Sequence, residues 1–230
     1  MKILLLRNKE EATASHEHIL QRLNAYSEVE IEVSTAPLFS LIAYEIPALS
    51  QNTPLITTSK NAIRVLATYP ESKEHPLFVV GAASADFARS FGFKNIYIAG
   101  GDAKSLVKLI EEQQDYKKFL YLRGKDIRLN IKQYSHQDII EHVTYELKRI
   151  ENPFAHLPQD YFTRQPTLLI YSKNQARATL EALPKQSQVK LVCISPTAAL
   201  PFVEAKFRYI KIAPHPNEDA MLALIEQSLN

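Results

Sequence analysis

The sequence predicts an α/β protein of two similar domains, each a parallel sheet flanked by helices, joined by a two-stranded linker. Three observations carry this. Short apolar runs alternate with longer amphipathic stretches along the chain, the pattern of strands and crossover helices. A block of sequence recurs about 114 residues further on, too far apart for the ~20–50-residue period of a solenoid, so it reads as a duplicated domain. A fragment of the first strand is echoed mid-chain.

The elements follow in order. Ile3–Leu6 is a buried-strand pattern, and a helix pattern runs through Glu10–Ala25. Val29–Val33 alternates Val-Glu-Ile-Glu-Val and reads as a half-exposed strand. Ser34-Thr35-Ala36-Pro37 then breaks the pattern. Further strands are expected at Leu38–Tyr44, Leu55–Thr58, Leu77–Val80, Ile96–Ala99, Phe119–Leu122 and Val143–Leu147. The stretch Asn152–Gln165, with Pro153 and Pro158 inside and Pro166 at its edge, reads as a loop. Strands at Leu168–Tyr171, Lys190–Ile194 and Tyr209–Ala213 follow, each leading into a helix.

The repeat pairs Leu55-Ile56-Thr57-Thr58-Ser59-Lys60-Asn61 with Leu168-Leu169-Ile170-Tyr171-Ser172-Lys173-Asn174. It continues with Val80-Gly81-Ala82-Ala83-Ser84-Ala85 beside Ile194-Ser195-Pro196-Thr197-Ala198-Ala199, and with Ile96-Tyr97-Ile98-Ala99 beside Ile210-Lys211-Ile212-Ala213. The echo is Leu4-Leu5-Leu6-Arg7 against Leu120-Tyr121-Leu122-Arg123. The second copy lacks this strand near its end, and the N-terminal segment supplies it. One domain is therefore discontinuous, 1–35 with 151–230, and 36–150 is inserted.

Net charge is +2, from 27 basic and 25 acidic residues, without the basic stripe of a nucleic-acid binder. No segment nears the ~18 apolar residues of a membrane span, and the apolar start ends at once in Arg7, unlike a secretory signal. Cys193 is the single cysteine and sits in an apolar run, a buried thiol in a reducing, cytoplasmic setting. Nothing in the sequence calls for an obligate partner, so a monomer is expected.

Ligands of open parallel sheets bind beyond the carboxyl ends of the strands, here with a small molecule expected in the cleft between the halves. Thr58, Ser59, Lys60, Ser84, Arg123, Lys125 and Arg128 fall at such ends in the first copy, and Ser172, Lys173 and Thr197 in the second. Helix starts present free N–H groups and a positive dipole end, which together with the hydroxyls and cations suit a ligand rich in carboxylate or phosphate. Taken singly, Ser59, Ser84 and Ser172 are ordinary helix caps. Neither Gly-x-x-x-x-Gly-Lys-Ser/Thr nor Gly-x-Gly-x-x-Gly occurs, and the chain has 5 glycines, so nucleotide binding by those routes is not expected. His16 and His18 lie on a polar helix and read as solvated, and the histidines show no metal-ligand spacing. Tyr145 falls in the second crossing strand, where a tyrosine hydroxyl can donate a hydrogen bond or proton to a leaving group; taken by itself, it reads rather as a packing residue on a strand.

In order and spacing these segments resemble the uroporphyrinogen-III synthase family. The residues that carry the likeness are Ile3–Arg7, Leu55–Ala62, Val80–Ala85, Leu122-Arg123-Gly124, Val143-Thr144-Tyr145 and Ser172-Lys173-Asn174, and it spans essentially the whole chain. The resemblance implies a cofactor-free lyase. Its substrate is hydroxymethylbilane, a linear tetrapyrrole rich in carboxylates, which it cyclises with loss of water and inversion of the last pyrrole ring through a spiro intermediate. It places the family's tyrosine on Tyr145, as acid or hydrogen-bond donor to the departing hydroxyl, and its strand–helix hydroxyls on Ser59 and Ser84. Arg7 and Arg123 become carboxylate partners, the alternative being charge pairing on the surface. Where the family has Gly-x-x-Thr, this chain has Ser195 and, at the Thr position, Ala198, with Thr197 one residue early. The alternatives are a small-molecule binding protein with two α/β lobes and a catalytically degenerate relative.

Overall fold

A computed structural model describes residues 1–23, 29–127 and 130–229. The chain begins with β1 (Lys2–Leu5), α1 (Lys9–Leu23), β2 (Glu32–Thr35) and β3 (Phe39–Ala43). It continues through β4 (Leu55–Thr57), α2 (Lys60–Ala67), β5 (Leu77–Val79), α3 (Ala82–Ser90), β6 (Ile96–Ile98), α4 (Ala103–Glu111), β7 (Phe119–Gly124) and β8 (Ile139–Arg149). It ends with β9 (Thr167–Ile170), α5 (Lys173–Ala182), β10 (Lys190–Cys193), α6 (Pro196–Glu204), β11 (Ile210–Ile212) and α7 (Glu218–Glu226). Two compact units result, one of Met1–Ser40 with Arg149–Asn230, the other of Leu41–Lys148.

The first unit is built on a five-stranded sheet ordered β11-β10-β9-β1-β2, every neighbour parallel. Alternate residues of its strands point to opposite faces, and both faces are covered. Leu4, Leu168, Ile170, Leu191 and Cys193 pack on one side with Ala176 and Ala178 of α5 and Ala198, Ala199 and Phe202 of α6. Ile3, Leu5, Leu169 and Val192 pack on the other with Ala12, Ile19 and Leu23 of α1 and Met221, Leu222 and Ile225 of α7. Cys193 is buried, and burial pushes its thiol up to about 12.

The second unit holds a six-stranded sheet ordered β3-β8-β7-β4-β5-β6, parallel from β8 to β6. Leu55, Leu77, Val79 and Leu122 face Ile63 and Leu66 of α2 and Ala85 and Ala88 of α3. Ile56, Phe78, Phe119 and Tyr121 face Leu106 and Ile110 of α4 and, in the short 3₁₀ turn Ile131–Tyr134, Ile131. The chain enters this unit along β3 and leaves along β8, which are neighbours in the sheet.

The two sheets share one strand order. Read inward from the edge, β11-β10-β9-β1-β2 answers to β6-β5-β4-β7-β8. The N-terminal β1 fills in the first sheet the place that β7 fills in the second, as the Leu-Arg echo anticipates.

Three elements differ from the sequence reading. The strand expected at Val29–Val33 is β2, Glu32–Thr35, and includes Ser34 and Thr35. Pairing to β1, from Lys2 with Glu32 to Leu5 with Thr35, recruits those two residues, and the break comes only at Ala36 and Pro37. The strand expected at Val143–Leu147 runs from Ile139 to Arg149, since β7 on one side and β3 on the other both offer it hydrogen bonds. The presumed loop Asn152–Gln165 contains a 3₁₀ turn, Tyr161–Thr163, that buries Tyr161 and Phe162. The expected helix end at Ala25 lies outside the described residues.

The tightest aromatic packing centres on Phe78, stacked on Tyr97 at 4.5 Å and edge-on to Phe119 at 5.5 Å and Tyr116 at 6.2 Å. Phe78→Ala is expected to cost about 3–5 kcal/mol, read as a lower denaturant midpoint for unfolding.

Candidate functional site

Because β4, β5, β6 and β7 are parallel, their carboxyl ends share one edge of the second sheet, and α2, α3 and α4 start there. Ser59 caps α2, its Oγ accepting the Asn61 N–H at 3.2 Å. Gly81 caps α3 without a side chain. Its backbone comes so near the next loop that a Cβ would lie 3.3 Å from the Cα of Gly101. Ser84, in the first turn of α3, is half-buried, and among the described residues its hydroxyl has no hydrogen-bond partner. Lys60 is exposed, its ammonium 5.3 Å from the Phe87 ring.

Tyr145 reaches this edge from β8. The β7–β8 register passes from Arg123 opposite Val143 to Gly124 opposite Tyr145, leaving Thr144 as the extra residue of a bulge. Thr144 Oγ1 donates to the Arg123 carbonyl at 3.1 Å, and the Lys125 N–H donates to the Tyr145 carbonyl at 2.8 Å. Such a bulge re-aims the side chain that follows it. The Tyr145 ring packs on Ala62 and Val65 of α2, and its hydroxyl lies 2.7 Å from Ser59 Oγ. Next to it, Thr58 Oγ1 is 3.1 Å from the hydroxyl of Tyr121, whose phenol burial pushes up. The structure thus joins Ser59 directly to Tyr145, a contact between residues far apart in the chain.

Arg123 is paired within its own unit. Its Nε donates to Glu141 at 2.9 Å and its Nη1 to the carbonyls of Gly124 and Lys125, so its charge is neutralised within its own unit. Lys125 pairs with Glu146 at 3.0 Å, and that carboxylate also accepts from the Tyr44 hydroxyl at 2.6 Å. These bonds, Tyr44 first, hold Glu146 below the usual carboxylate range. Arg128 lies outside the described residues.

In the first unit the same strand ends carry Ser172, whose Oγ accepts the Gln175 N–H at 3.2 Å, with Lys173 as the first residue of α5. Ser195 caps α6 by accepting the Ala198 N–H at 3.3 Å, and Thr197 stands exposed in that first turn. Arg7 follows β1. Its guanidinium stacks on Tyr171 at 4.2 Å and donates to Ser15 and Glu218, both at 3.1 Å, and to Glu11 at 3.3 Å. Glu218 accepts in addition from the hydroxyls of Ser15 and Tyr171, each at 2.6 Å.

His18, expected to be solvated, belongs to this network: its ring nitrogens lie 3.1 Å from Glu218 and 3.2 Å from Asp219. The packing of α1 against α7 overrides the polar look of its helix. Sequence reasoning missed Glu218, whose only local signal is its place in the acidic first turn of α7. Burial alone would raise the Glu218 pKa, but the bonds from Ser15, Tyr171 and His18 and the charge of Arg7 outweigh it and lower the pKa. Burial and the bond to Glu218 push the Tyr171 phenol up.

Among the described residues no three His, Cys, Asp or Glu side chains form a metal site, and no helix is long and apolar enough to cross a membrane.

Fold and strand-end chemistry define a class: a duplicated α/β protein whose polar groups collect at the helix starts. Solved structures share the fold. The uroporphyrinogen-III synthetase of Helicobacter pylori matches over 99% of both chains at 20% identity with a TM-score of 0.66. A mutant uroporphyrinogen III synthase of Thermus thermophilus matches over 100% of this chain and 98% of that one, at 14% identity and a TM-score of 0.55. A comparison with curated proteins gave no match. A family model described as "Uroporphyrinogen-III synthase HemD" matches residues 29–223. The chain belongs to the uroporphyrinogen-III synthase family. This is a family of porphyrin and haem biosynthesis, whose members are lyase-type cyclases acting on a tetrapyrrole.

A carboxylate whose folded pKa is depressed stabilises above its ordinary range, and that contribution is lost as pH falls through the folded value. Glu218→Gln should therefore cost about 2 kcal/mol near pH 7 and make the acid decline in melting temperature shallower than in the native protein. Thermal melts from pH 7 to pH 3 read both.

Proposed function

We propose that this chain closes hydroxymethylbilane to uroporphyrinogen III as a cofactor-free hydro-lyase, with Tyr145 acting on the departing hydroxyl. The observation that carries the reaction is the family match over residues 29–223. The role of the tyrosine is supported by its hydroxyl lying 2.7 Å from Ser59 Oγ at the start of α2.

The chemistry asks for little. The hydroxyl of the hydroxymethyl group leaves as water, its C–O bond breaking with one proton taken in. The methylene carbon left behind bonds to the attacked pyrrole, which releases one proton as it regains aromaticity, so the balance is substrate to product plus water. A phenol can supply the first proton or hydrogen-bond the leaving oxygen. Ser59 Oγ already accepts the Asn61 N–H, so its own proton is free to point at the Tyr145 oxygen. With Ser59 as the donor, the phenolic proton is left for the leaving oxygen. The rest of the effect is positioning. Uncatalysed, the substrate closes without inversion to the type I isomer, so holding one conformation determines the product. The amide N–H groups at the starts of α2, α3, α5 and α6, with Ser84, Ser172, Thr197, Lys60 and Lys173, suit the substrate's carboxylates. Arg7 and Arg123, bound to Glu218 and Glu141, enter as residues that hold strand ends in place.

Generating hydroxymethylbilane in place with its upstream deaminase, then oxidising and separating the porphyrins, tests the reaction. A dominant type III product is expected. Type I alone at the uncatalysed rate would make the chain a binding protein or a degenerate relative, the reading that Ser195 and Ala198 invite. Tyr145→Phe should lower turnover about a hundredfold with an unchanged circular dichroism spectrum. Full activity in that variant would return Tyr145 to a packing role.

A further inference from the structure

We propose that Gly124 is a positioning residue for Tyr145: the missing side chain there is the seat in which the tyrosine ring lies. The inference rests on the reading of Tyr145 as the acting group and extends it to the residue that aims it. Gly124 is buried in β7, and its φ lies outside the left-handed region, so the backbone does not require glycine. Space does. A Cβ at this place would lie 2.7 Å from Tyr145 Cζ, 2.8 Å from its hydroxyl oxygen and 3.1 Å from Cε2, distances that force a shift.

The ring has little freedom to yield. On one side is the β7 backbone at Gly124, on another are Ala62 and Val65 of α2. The hydroxyl is tied to Ser59, itself held by capping α2. The bulge completes the seat. Without Thr144 as an extra residue the pairing would place Thr144, not Tyr145, opposite Gly124, and a one-residue slip turns every later side chain to the other face. Gly124 and the bulge therefore act together: one brings the ring to that place and the other leaves room for it.

The test is Gly124→Ala, alone and combined with Tyr145→Phe, assayed for type III formation from hydroxymethylbilane. With the fold intact by circular dichroism, the single variant should lose about a hundredfold in kcat while KM stays within about twofold. In the Tyr145→Phe background the same substitution should cost almost nothing, because the hydroxyl it displaces is gone. Native kcat in Gly124→Ala overturns the proposal, and so does an equal loss in both backgrounds, which would mark general damage. Full activity in Tyr145→Phe overturns the reading of the tyrosine and this proposal with it. Should Gly124→Ala fail to fold, Gly124→Ala with Tyr145→Ala replaces it. Recovery of folding on truncating the ring supports the seat, and no recovery overturns it.

Discussion

Burying both faces of a parallel sheet leaves its polar groups few outlets. In each unit, alternate strand residues meet helices on opposite sides, so a charged or hydroxyl side chain in mid-strand would have to be buried. The strand ends are the open places. There the chain must turn and start a helix whose first N–H groups need partners. Ser59, Ser172, Ser195, Asp102 and Asn217 meet that need as caps. The same requirement that closes the cores therefore gathers hydroxyls and amide groups along one edge of each sheet, where an anionic ligand can use them.

Duplication then diverges at these edges. In the second unit the strand end after β4 carries Thr58 and Ser59, which meet the hydroxyls of Tyr121 and Tyr145. In the first unit the matching place carries Tyr171, whose hydroxyl is bound to Glu218 beneath the Arg7 guanidinium. One copy holds a polar contact built from neutral hydroxyls. The other holds a charged network that ties α1, α7 and the end of β1 together. The two arginines that echo each other in sequence, Arg7 and Arg123, share a fate: each is paired with a glutamate of its own unit.

Much of the fold was legible because its signals are local. The apolar runs at Ile3–Leu6, Leu55–Thr58 and Lys190–Ile194 mark strands buried on both faces, and Ser-Lys-Asn after two of the strands marks helix starts. The candidate site was legible only in part. Ser59 and Tyr145 could each be named, one as a cap and one through a family likeness, but not their contact, which depends on a bulge that a strand pattern does not reveal. The polar look of α1 concealed that His18 faces α7, and nothing near Glu218 marked it as the centre of a network.

By itself, then, the sequence determined what short-range physics governs: the alternation of strands and helices, the repeat, the capping serines and the burial of Cys193. Tertiary structure alone decided which side chains meet. Pairing of β7 with β8 sets the bulge at Thr144, the bulge and Gly124 bring Tyr145 to Ser59, and the packing of α1 on α7 draws Arg7 and His18 onto Glu218. The physical reason is that hydrogen-bond periodicity and capping act over a few residues. Register, close approach and charge pairing are settled between segments that lie far apart along the chain, as the bonds from Arg7 and His18 to Glu218 do.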